Sequence, residues 1–563
     1  MGTKFEDILS LVGDRGRWQF RVFLFSWLEG ILIGFHHLSS AFLGFVPEHH
    51  CNYDDIEFPS GWTDIQKKNF SIPVEDSGKY QECKMFDISS STISRNYQTA
   101  LAARTTNLVG CTSWTFAKDM GETIVSDWNL VCDRTALLST VQGSYMGGVF
   151  VGCLFWGWAS DKFGRRPSIL VASLIQIIST VVAAFSPNYI MFIFFRFIIA
   201  FSVSGVFECA FVLVMEIVSP ELRTPFGIMT QFPFAIGVCI LPLVAYFIRD
   251  WNHLQLAISL PCLVLTSYYW FMPESPRWLI QARKFDEAKA VLTEAAKENG
   301  KNIPDSAEFL EMIKSLDDRK DTVEATAEPS TFSEKFASAF EEIRLLFATP
   351  QMRKRTFTVF ITWLVIAMVY YGLSFNSKNI GGDIYISMFI NGLAEAIACL
   401  AIIPALARLG RVKIYSGTFI LSGVACLGVA VILWVAPPNS YLGLIISLAM
   451  TGKFFISGTF ALAYLYTAEL FPTPVRNVAV GGASTFARIG SMSAPYIVDI
   501  LGRLNAGIPT VIFGVTSIIA GLLSLLLPET LNKKLPETVA DVERCKEGPR
   551  DPETETNELK QSS

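Results

Sequence analysis

The feature of this sequence that most limits its fold is a series of long apolar segments. A transmembrane helix needs roughly 20 consecutive apolar residues. Hydrophobic residues make up 51% of the 563-residue chain and charged residues only 17%, against about 25% charged in soluble domains. The pattern predicts an all-α membrane protein with twelve transmembrane helices. The candidate spans are 20–46, 137–158, 168–187, 189–214, 226–248, 253–272, 355–375, 382–406, 413–435, 440–466, 478–500 and 508–527.

A polar region at 47–136 separates the first two apolar segments. It holds four of the chain's 11 cysteines and an Asn-Phe-Ser sequon that begins at Asn69. Clustered cysteines beside a glycosylation signal are typical of oxidising, extracellular loops, so we expect two disulfides and a glycan at Asn69. The alternative is that the four cysteines are free thiols and the sequon is not used. If two disulfides form, three pairings of the four cysteines are possible. The cysteines are Cys51, Cys83, Cys111 and Cys132.

A second polar region, at 273–354, is rich in lysine, arginine and glutamate, and its stretch FDEAKAVLTEAAKENG has the spacing of an amphipathic helix. Basic residues near the ends of membrane spans stay in the cytoplasm. With 47–136 outside the cell, we expect residues 1–19, the helical region 273–354 and a disordered polar tail at 531–563 to be cytoplasmic. The two bundles of six spans each are predicted at 20–272 and 355–530.

Three motifs occur twice, once in each half of the chain and in the same order. The first motif is DKFGRR after the second span, which returns as RLGRVK after the eighth. The second is a glutamate seven residues before an arginine, found after the fourth and the tenth spans. The third is PES at the end of the sixth span, which returns as PET at the end of the twelfth. Each motif alone is weak evidence, but the set predicts two six-helix pseudo-repeats. The offsets between copies are 246 residues (Gly164 to Gly410), 253 (Glu216 to Glu469) and 255 (Pro273 to Pro528).

Parallel six-helix repeats with a site at their interface are typical of transporters in which one bundle rocks against the other. Glycines in the motifs allow tight turns and close helices. Their charged neighbours can form ion pairs of modest, switchable energy that hold one gate shut in one state. The alternative is that these charges only set the topology. The predicted gating residues are Gly157, Asp161, Gly164, Arg165, Arg166, Glu216, Arg223, Arg411, Glu469 and Arg476.

The motifs resemble those of the major facilitator superfamily, and more narrowly the organic cation, anion and zwitterion transporters of solute carrier family 22. The similarity covers nearly the whole chain. Within that family, YFIRDW, GKF and YTAEL are most like the carnitine and organic-cation branch. One departure is Ala407, where the family often has Asp in the second copy of the glycine motif, and this weakens the prediction of a gate in the second half. The stretches that carry the resemblance include FLGFVPEHHC, SDWNLVCDR, SDKFGRRP, PESPRWLI, VYYGLSFNSKNIGGDIY, YTAELFPTPVRN and LSLLLPETLNK.

Several charged residues fall inside predicted spans, where a charge costs at least ~2.5–3.5 kcal/mol and usually has a function. The resemblance implies that Glu395 lines the cavity and faces a cationic substrate. Arg488 occupies a position that is arginine in anion and carnitine-type members, and a guanidinium binds a carboxylate bidentately. Lys453 also suits a carboxylate, and an internal salt bridge of Glu395 with Arg488 or Lys453 is the alternative. Glu208 would favour cations, even dications, unless it pairs with Arg196.

Aromatic and amide side chains complete the predicted substrate site. Trp363 and Tyr370 lie seven residues apart on one face of the seventh span, and Tyr371 follows. Phe234 lies close to Gln231 at the start of the fifth. Cationic ammonium groups bind over aromatic rings with ~0.5–2 kcal/mol each, so we expect these residues to line the site, although most aromatic residues of such a chain are lipid-facing or packed.

These features predict a polyspecific plasma-membrane transporter of small organic cations or zwitterions, such as amines, carnitine-like or carcinine-like compounds, that works by alternating access. An organic-anion transporter of the same family is one alternative, and a receptor-like membrane protein that does not transport is another. We expect a multi-pass protein of the cell membrane, with both termini in the cytoplasm, that works as a monomer in the lipid bilayer.

An enzyme is not expected, and we predict no catalytic residues. The sequence has no G-x-x-x-x-G-K-[ST] loop for an ATP-driven pump, and the cysteines outside 47–136 have no metal-ligand spacing. The net charge of −5 argues against a nucleic-acid partner. We predict no cofactor or metal, and the sequence leaves open whether Na⁺ or H⁺ is coupled to transport.

Overall fold

The computed structural model contains the predicted helical bundle, built from long helices that alternate in direction. Eleven helices in the described part of the chain are long and apolar enough to cross a membrane. A twelfth, Arg476–Tyr496, has the right length but is rich in glycine, serine and alanine, and it packs against the helices Pro350–Asn376 and Thr135–Phe163. The structure describes residues 5–74, 79–88, 93–117, 121–304, 306–323, 341, 343–376, 382–437, 441–531, 533, 536 and 538–544.

The long helices form two sets of six in chain order. The N-terminal half contains α1 (Arg17–Leu38), α2 (Thr135–Phe163), α3 (Arg165–Ala184), α4 (Tyr189–Ile217), α5 (Phe232–Phe247) and α6 (Trp251–Ser259). Three of these spans include shorter helices next to the named one: Ser40–Leu43 continues the first, Pro220–Met229 begins the fifth, and Leu260–Ser267 with Tyr268–Phe271 continues the sixth. The C-terminal half contains α7 (Pro350–Asn376), α8 (Ile384–Leu409), α9 (Arg411–Val435), α10 (Leu442–Leu470), α11 (Arg476–Tyr496) and α12 (Gly507–Ser524).

The two halves meet mainly through α5 against α8 and α2 against α11. Glycines allow the first contact to be close, because a Cβ on Gly392 would lie 2.9 Å from the backbone nitrogen of Cys239. We call the end of the bundle that carries Gly164 and Gly410 the motif side, and the opposite end the loop side. Short helices lie in the connections of the C-terminal half, among them Thr473–Val475, Ile497–Leu501 and Gly502–Leu504.

The loop side is covered by the polar segment between α1 and α2. Its two antiparallel ribbons are β1 (His49–Cys51) with β4 (Trp114–Phe116) and β2 (Lys84–Phe86) with β3 (Leu108–Gly110). Helices Asp64–Ser71, Tyr97–Ala103 and Ile124–Trp128 complete it. The predicted two disulfides are confirmed, and they join Cys51 to Cys111 and Cys83 to Cys132.

Short helices on the motif side connect and brace the bundle. Pro276–Gln281, Phe285–Glu298 and Ser306–Val323 lie between the halves in sequence, and the N-terminal helix Phe5–Val12 packs against Phe285–Glu298. Asn299 ties this layer to the start of α1, since its side chain donates to the carbonyl of Val12 and accepts from the backbone N–H of Trp18, both at 3.0 Å.

The predicted disordered tail at 531–563 differs from the structure in one part. Val539–Arg544 is a helix that packs against α7, with Val542 only 1% exposed. Glu543 accepts a hydrogen bond from the backbone N–H of Gln351 at 3.0 Å. The prediction of disorder is wrong for these six residues because one apolar side chain and one carboxylate find partners on α7. Residues 545–563 lie outside the described residues.

Candidate functional site

A cavity of about 570 Å³ lies between the two halves and extends to the motif side. Its walls come from α2, α4, the helix Pro220–Met229 and Gln231 in one half, and from α10 and α11 in the other. At its inner end it meets a smaller space of about 70 Å³, which we call the central chamber. Glu208, Gln231 and Arg488 line both spaces, so the chamber is continuous with the cavity.

The loop side of the chamber is closed by contacts between the halves. Ser139 donates to the carboxylate of Asp499 at 3.1 Å. The phenol of Tyr496 donates to Thr140 at 3.2 Å, and the rings of Phe42 and Tyr385 stack at 5.6 Å. A solute in the chamber therefore has a path towards the motif side and a barrier towards the loop side.

Glu395 on α8 forms a compact buried cluster at the chamber wall. The phenol of Tyr370 donates to Glu395 Oε1 at 2.6 Å, and Lys453 Nζ lies 3.5 Å from Glu395 Oε2. The ammonium group also lies 3.1 Å from the centre of the Tyr370 ring and donates to Ser374 at 2.7 Å. Glu395 is 5% exposed and lines the chamber, whereas Lys453 is 0% exposed and lies behind it.

Glu208 on α4 and Arg488 on α11 face each other across the same chamber, one from each half of the protein. The thiol of Cys153 on α2 lies 3.8 Å from Arg488 Nη2. Charge of both signs is therefore present at the point where the two halves meet.

Two equivalent ion clusters lie on the motif side, one in each half. Arg165 binds Glu216 through Nε at 3.2 Å and Nη2 at 2.9 Å, and Arg411 binds Glu469 through Nε and Nη2, both at 3.1 Å. Each arginine follows a glycine with positive φ, +105° at Gly164 and +84° at Gly410, a conformation that other residues rarely adopt.

A glutamate from the PES or PET motif closes each cluster. Glu274 accepts from the backbone N–H groups of Arg165 and Arg166, and Glu529 accepts from those of Arg411 and Val412. Burial raises the pKa of Glu274 in spite of these bonds. Burial also acts to raise the pKa of Glu529, but four backbone donors outweigh it and the pKa is lowered. The duplicated motifs thus build duplicated contacts.

Comparison with known proteins identifies the family. A family described as "Sugar (and other) transporter" matches residues 66–541. The organic cation transporter protein of Drosophila melanogaster is 34% identical over 98% of this chain and 96% of its own length. Solute carrier family 22 member 3 of Mus musculus is 34% identical over 96% of each chain, and member 6 of Pseudopleuronectes americanus 31% over 97% and 95%.

The chain belongs to solute carrier family 22, within the major facilitator superfamily. It is a membrane transporter protein and not an enzyme. Solved structures agree on the fold: the proton:xylose symporter XylE bound to 6-bromo-6-deoxy-D-glucose has a TM-score of 0.57 at 18% identity, covering 93% of this chain and 99% of that one. An inward-open form of XylE from E. coli has the same TM-score at 15% identity, covering 94% and 99%.

In this family 22 protein, most of the predicted substrate residues meet in the chamber. Those that line it are Glu208, Gln231, Phe234, Tyr370, Tyr371, Glu395 and Arg488. Two do not. Trp363 is 1% exposed, donates to Thr467 at 2.9 Å and packs on Tyr464, and Lys453 is covered by Tyr370 and Glu395. Side chains that lie nearer the cavity therefore cover both residues.

The sequence analysis missed several chamber residues that the family 22 fold brings together. Phe460 and Tyr464 lie on α10 about two and three turns beyond Lys453, and His37, Phe207 and Cys153 line one or both spaces. Lys453, Phe460 and Tyr464 are spaced by seven and four residues, which places them on one helix face. That spacing from a buried charge was the available signal for the two aromatics.

The predicted gating residues are distributed differently from expectation. The clusters of Arg165 and Arg411 each lie within one half, so neither crosses the cavity. A Cβ added to Gly157 would meet no atom within 4 Å, so this glycine does not bring helices together in the way that we predicted. The other predicted members also find partners in their own half: Asp161 binds Arg165 at 3.0 Å, Arg166 donates to the Tyr269 carbonyl at 2.7 Å, Arg223 lies 3.8 Å from Glu6, and Arg476 donates to the Phe471 carbonyl at 3.3 Å.

Arg196 does not form the alternative pair with Glu208. It is fully buried near the loop side, where its guanidinium donates to Ser39 at 3.0 Å and to the His36 carbonyl at 3.2 Å and lies over the Tyr145 ring at 4.4 Å. Neutral oxygens and a ring satisfy it, so it holds α1, α2 and α4 together and leaves Glu208 to the chamber.

Proposed function

We propose that this family 22 protein moves small organic cations or zwitterions across the plasma membrane by alternating access, with the central chamber as the substrate site. The observation that carries the proposal is the composition of the chamber. Two carboxylates, one guanidinium and several aromatic rings, contributed by both halves, surround a space continuous with a cavity on the motif side. Ammonium groups bind between carboxylates and aromatic faces, and relatives are named organic cation transporters.

The conformation supports a cycle in which the halves rock. The contacts that close the loop side join the two halves, whereas the ion clusters on the motif side stay within each half. We therefore assign the clusters of Arg165 and Arg411 the role of holding each bundle rigid at its motif end. Closure of that end in the opposite state then needs new contacts between residues at the cavity mouth, where Arg223 and Arg476 lie.

The orientation that we propose places the motif side in the cytoplasm. Disulfides on the loop side fit an oxidising extracellular space. Basic residues such as Lys162, Arg353 and Lys413 lie at helix ends on the motif side, as the positive-inside rule requires. The described conformation is then the inward-facing one.

The test is uptake into cells that express the protein and into proteoliposomes made from purified protein. The panel is a monoamine, carnitine, a dication such as carcinine and an aryl carboxylate. Saturable uptake of a cation or zwitterion is the expected result. An organic anion as the only transported class would favour the alternative suggested by Arg488, and no uptake of any member by correctly folded protein would favour a receptor-like role.

A further inference from the structure

Two arginines on the motif side converge on a single carboxylate oxygen. Oε1 of Glu6 lies 3.1 Å from Nη2 of Arg277 and 3.8 Å from Nη2 of Arg223. The contact with Arg223 is ionic only, since Nε and Nη2 of that side chain are buried and have no hydrogen-bond partner among the described residues. Two guanidinium groups therefore share one negative charge, and the donors of one of them are poorly satisfied.

The carboxylate and the two arginines come from different elements. Arg223 belongs to the helix Pro220–Met229 before α5, and Arg277 to the helix Pro276–Gln281 after α6. Glu6 is supplied by the N-terminal helix Phe5–Val12, which packs against Phe285–Glu298. The side chains that anchor this helix are Ile8, Leu9 and Val12, each at most 1% exposed. The arginines thus flank a site of the N-terminal half that a separate helix fills.

The shared carboxylate can be displaced at low cost. The side chains of Arg223, Glu6 and Arg277 are 34%, 38% and 35% exposed, and ion pairs exposed to this degree contribute little to stability. The other carboxylate of Pro220–Met229, Glu221, is paired with Arg15 at 2.8 Å. With Glu6 displaced, the two guanidinium groups are open to an anion from the motif side.

We propose that Arg223 and Arg277 form a binding site for a phosphate dianion, either inorganic phosphate or a phosphate monoester, and that Glu6 is its intramolecular competitor. A phosphate monoester carries about two negative charges and three strong acceptor oxygens. Guanidinium groups bind such oxygens bidentately. One dianion therefore balances both arginines and accepts from each through a different oxygen, whereas Glu6 offers a single charge and one oxygen to the pair.

Binding at this site is linked to the N-terminal helix. An anion that replaces Glu6 leaves Phe5–Val12 held by its apolar side alone. By thermodynamic reciprocity, the anion loosens the helix to the same extent that Glu6 weakens the anion. Arg223 also lines the cavity, so the occupant lies at the mouth and outside the central chamber. In the proposed orientation this side is cytoplasmic, and the phosphate comes from a soluble ester or from a phosphoinositide headgroup.

The first test measures binding to purified protein without any transport. The melting temperature is followed in titrations with inorganic phosphate and with glycerol 3-phosphate, against chloride at equal ionic strength. A ligand of the folded state raises it by mass action, so we expect a saturable rise. Glu6→Gln should lower the half-maximal phosphate concentration by about 2- to 5-fold, since it removes one exposed ion-pair competitor. Arg277→Gln should abolish the rise.

Arg15→Gln is the matched control, because Arg15 is an ion-paired arginine near the same helix but is not part of the site. It should respond to phosphate as the wild type does. A thermal response that Arg277→Gln retains would overturn the site. A Glu6→Gln protein that binds phosphate no more tightly than the wild type would overturn the competition, and this variant keeps both arginines in place.

The second test follows the N-terminal helix by backbone hydrogen exchange. Glycerol 3-phosphate should speed exchange at residues 5–12 in the wild type and leave it unchanged in Arg277→Gln. In Glu6→Gln exchange should be fast from the start and indifferent to the ester. The loop-side helix Asp64–Ser71 is the internal control. Binding of the ester without faster exchange at residues 5–12 in the wild type would refute the competition with Glu6.

Nanodiscs separate the two sources of phosphate. The melting temperature is compared in phosphatidylcholine nanodiscs with and without phosphatidylinositol 4-phosphate, for the wild type and for Arg277→Gln. A rise with the lipid that Arg277→Gln removes, together with no response to the soluble phosphates, assigns the site to a headgroup; a response to the soluble phosphates assigns it to a free ester. No response of either the wild type or Glu6→Gln to any of these phosphates would overturn the proposal and leave the proposed transport function standing.

Discussion

The pair of Glu395 and Lys453 allows a sharp test of how the chamber holds its charge. Two unit charges 3.5 Å apart attract each other by about 5 kcal/mol at the effective dielectric of a protein interior. Removing one partner of a buried pair usually costs about 3–5 kcal/mol, because the other charge is left without compensation. Glu395→Gln preserves the bond from Tyr370, since the amide oxygen still accepts, but it leaves Lys453 with only Ser374 and the ring.

The single and double variants should differ in stability and in selectivity. We expect Glu395→Gln and Lys453→Met each to lower the melting temperature in detergent, and the double variant to recover most of the loss because no charge remains unpaired. Glu395→Gln should weaken uptake of cations far more than of anions. Lys453→Met should shift selectivity the other way, towards cations, because Glu395 then loses its competitor.

The assay combines thermal unfolding, followed by tryptophan fluorescence, with competition of labelled uptake by a cation and an anion of equal size. A double variant that is less stable than either single variant would refute the view that the two charges compensate each other. Equal loss of cation and anion uptake in Glu395→Gln would indicate a folding defect and argue against contact between Glu395 and the substrate.

Three other changes test the frame around the chamber. Gly164→Ala should strongly reduce the yield of correctly folded protein, because φ is +105° and the new Cβ would collide with Glu274. Gly157→Ala should be tolerated, because a Cβ there meets no atom within 4 Å. Equal yields of the two variants on size-exclusion chromatography would contradict this. Backbone donors lower the pKa of Glu529 in the folded state. The ionised carboxylate therefore stabilises the folded state above about pH 4.3, and this stabilisation is lost as the pH falls further. The difference in melting temperature between wild type and Glu529→Gln should narrow as the pH falls below that value. Asn69→Gln should remove a glycan, seen as loss of the mobility shift on treatment with a glycosidase.

The helical frame could be predicted well from the sequence because each part of it depends on local pattern. Apolar segments of membrane length indicated the helices, and the fixed offsets between glycine, glutamate and PES or PET motifs indicated the two halves. The contacts of Glu274 and Glu529 follow from the same repeat. Sequence pattern also located Glu395 and Arg488, since a charge inside a span has few purposes.

The parts that sequence reasoning missed depend on packing between elements distant in the chain. Spacing along α7 cannot tell that Tyr464 of α10 covers Trp363. The sequence named a salt bridge of Glu395 with Arg488 or Lys453 as an alternative, and only the packing of α10 against α8 decides for Lys453. The disulfide pairing was open for the same reason, because ribbon register decides which cysteines meet. The helix Val539–Arg544 forms only where α7 offers it a surface.

The residues that are repeated in the two halves form the ion clusters, and the carboxylates of the chamber are not repeated. The glycine, arginine and glutamate of each ion cluster have counterparts in the other half with matching contacts. The chamber carboxylates do not. At the 253-residue offset that relates Glu216 to Glu469, Glu208 corresponds to Ala461, and at the 246-residue offset from Gly164 to Gly410, Glu395 corresponds to Val149. Both counterparts line the cavities without charge. Duplication therefore supplies two similar ion clusters, and the departures from duplication make the distribution of charge around the space between the halves asymmetric.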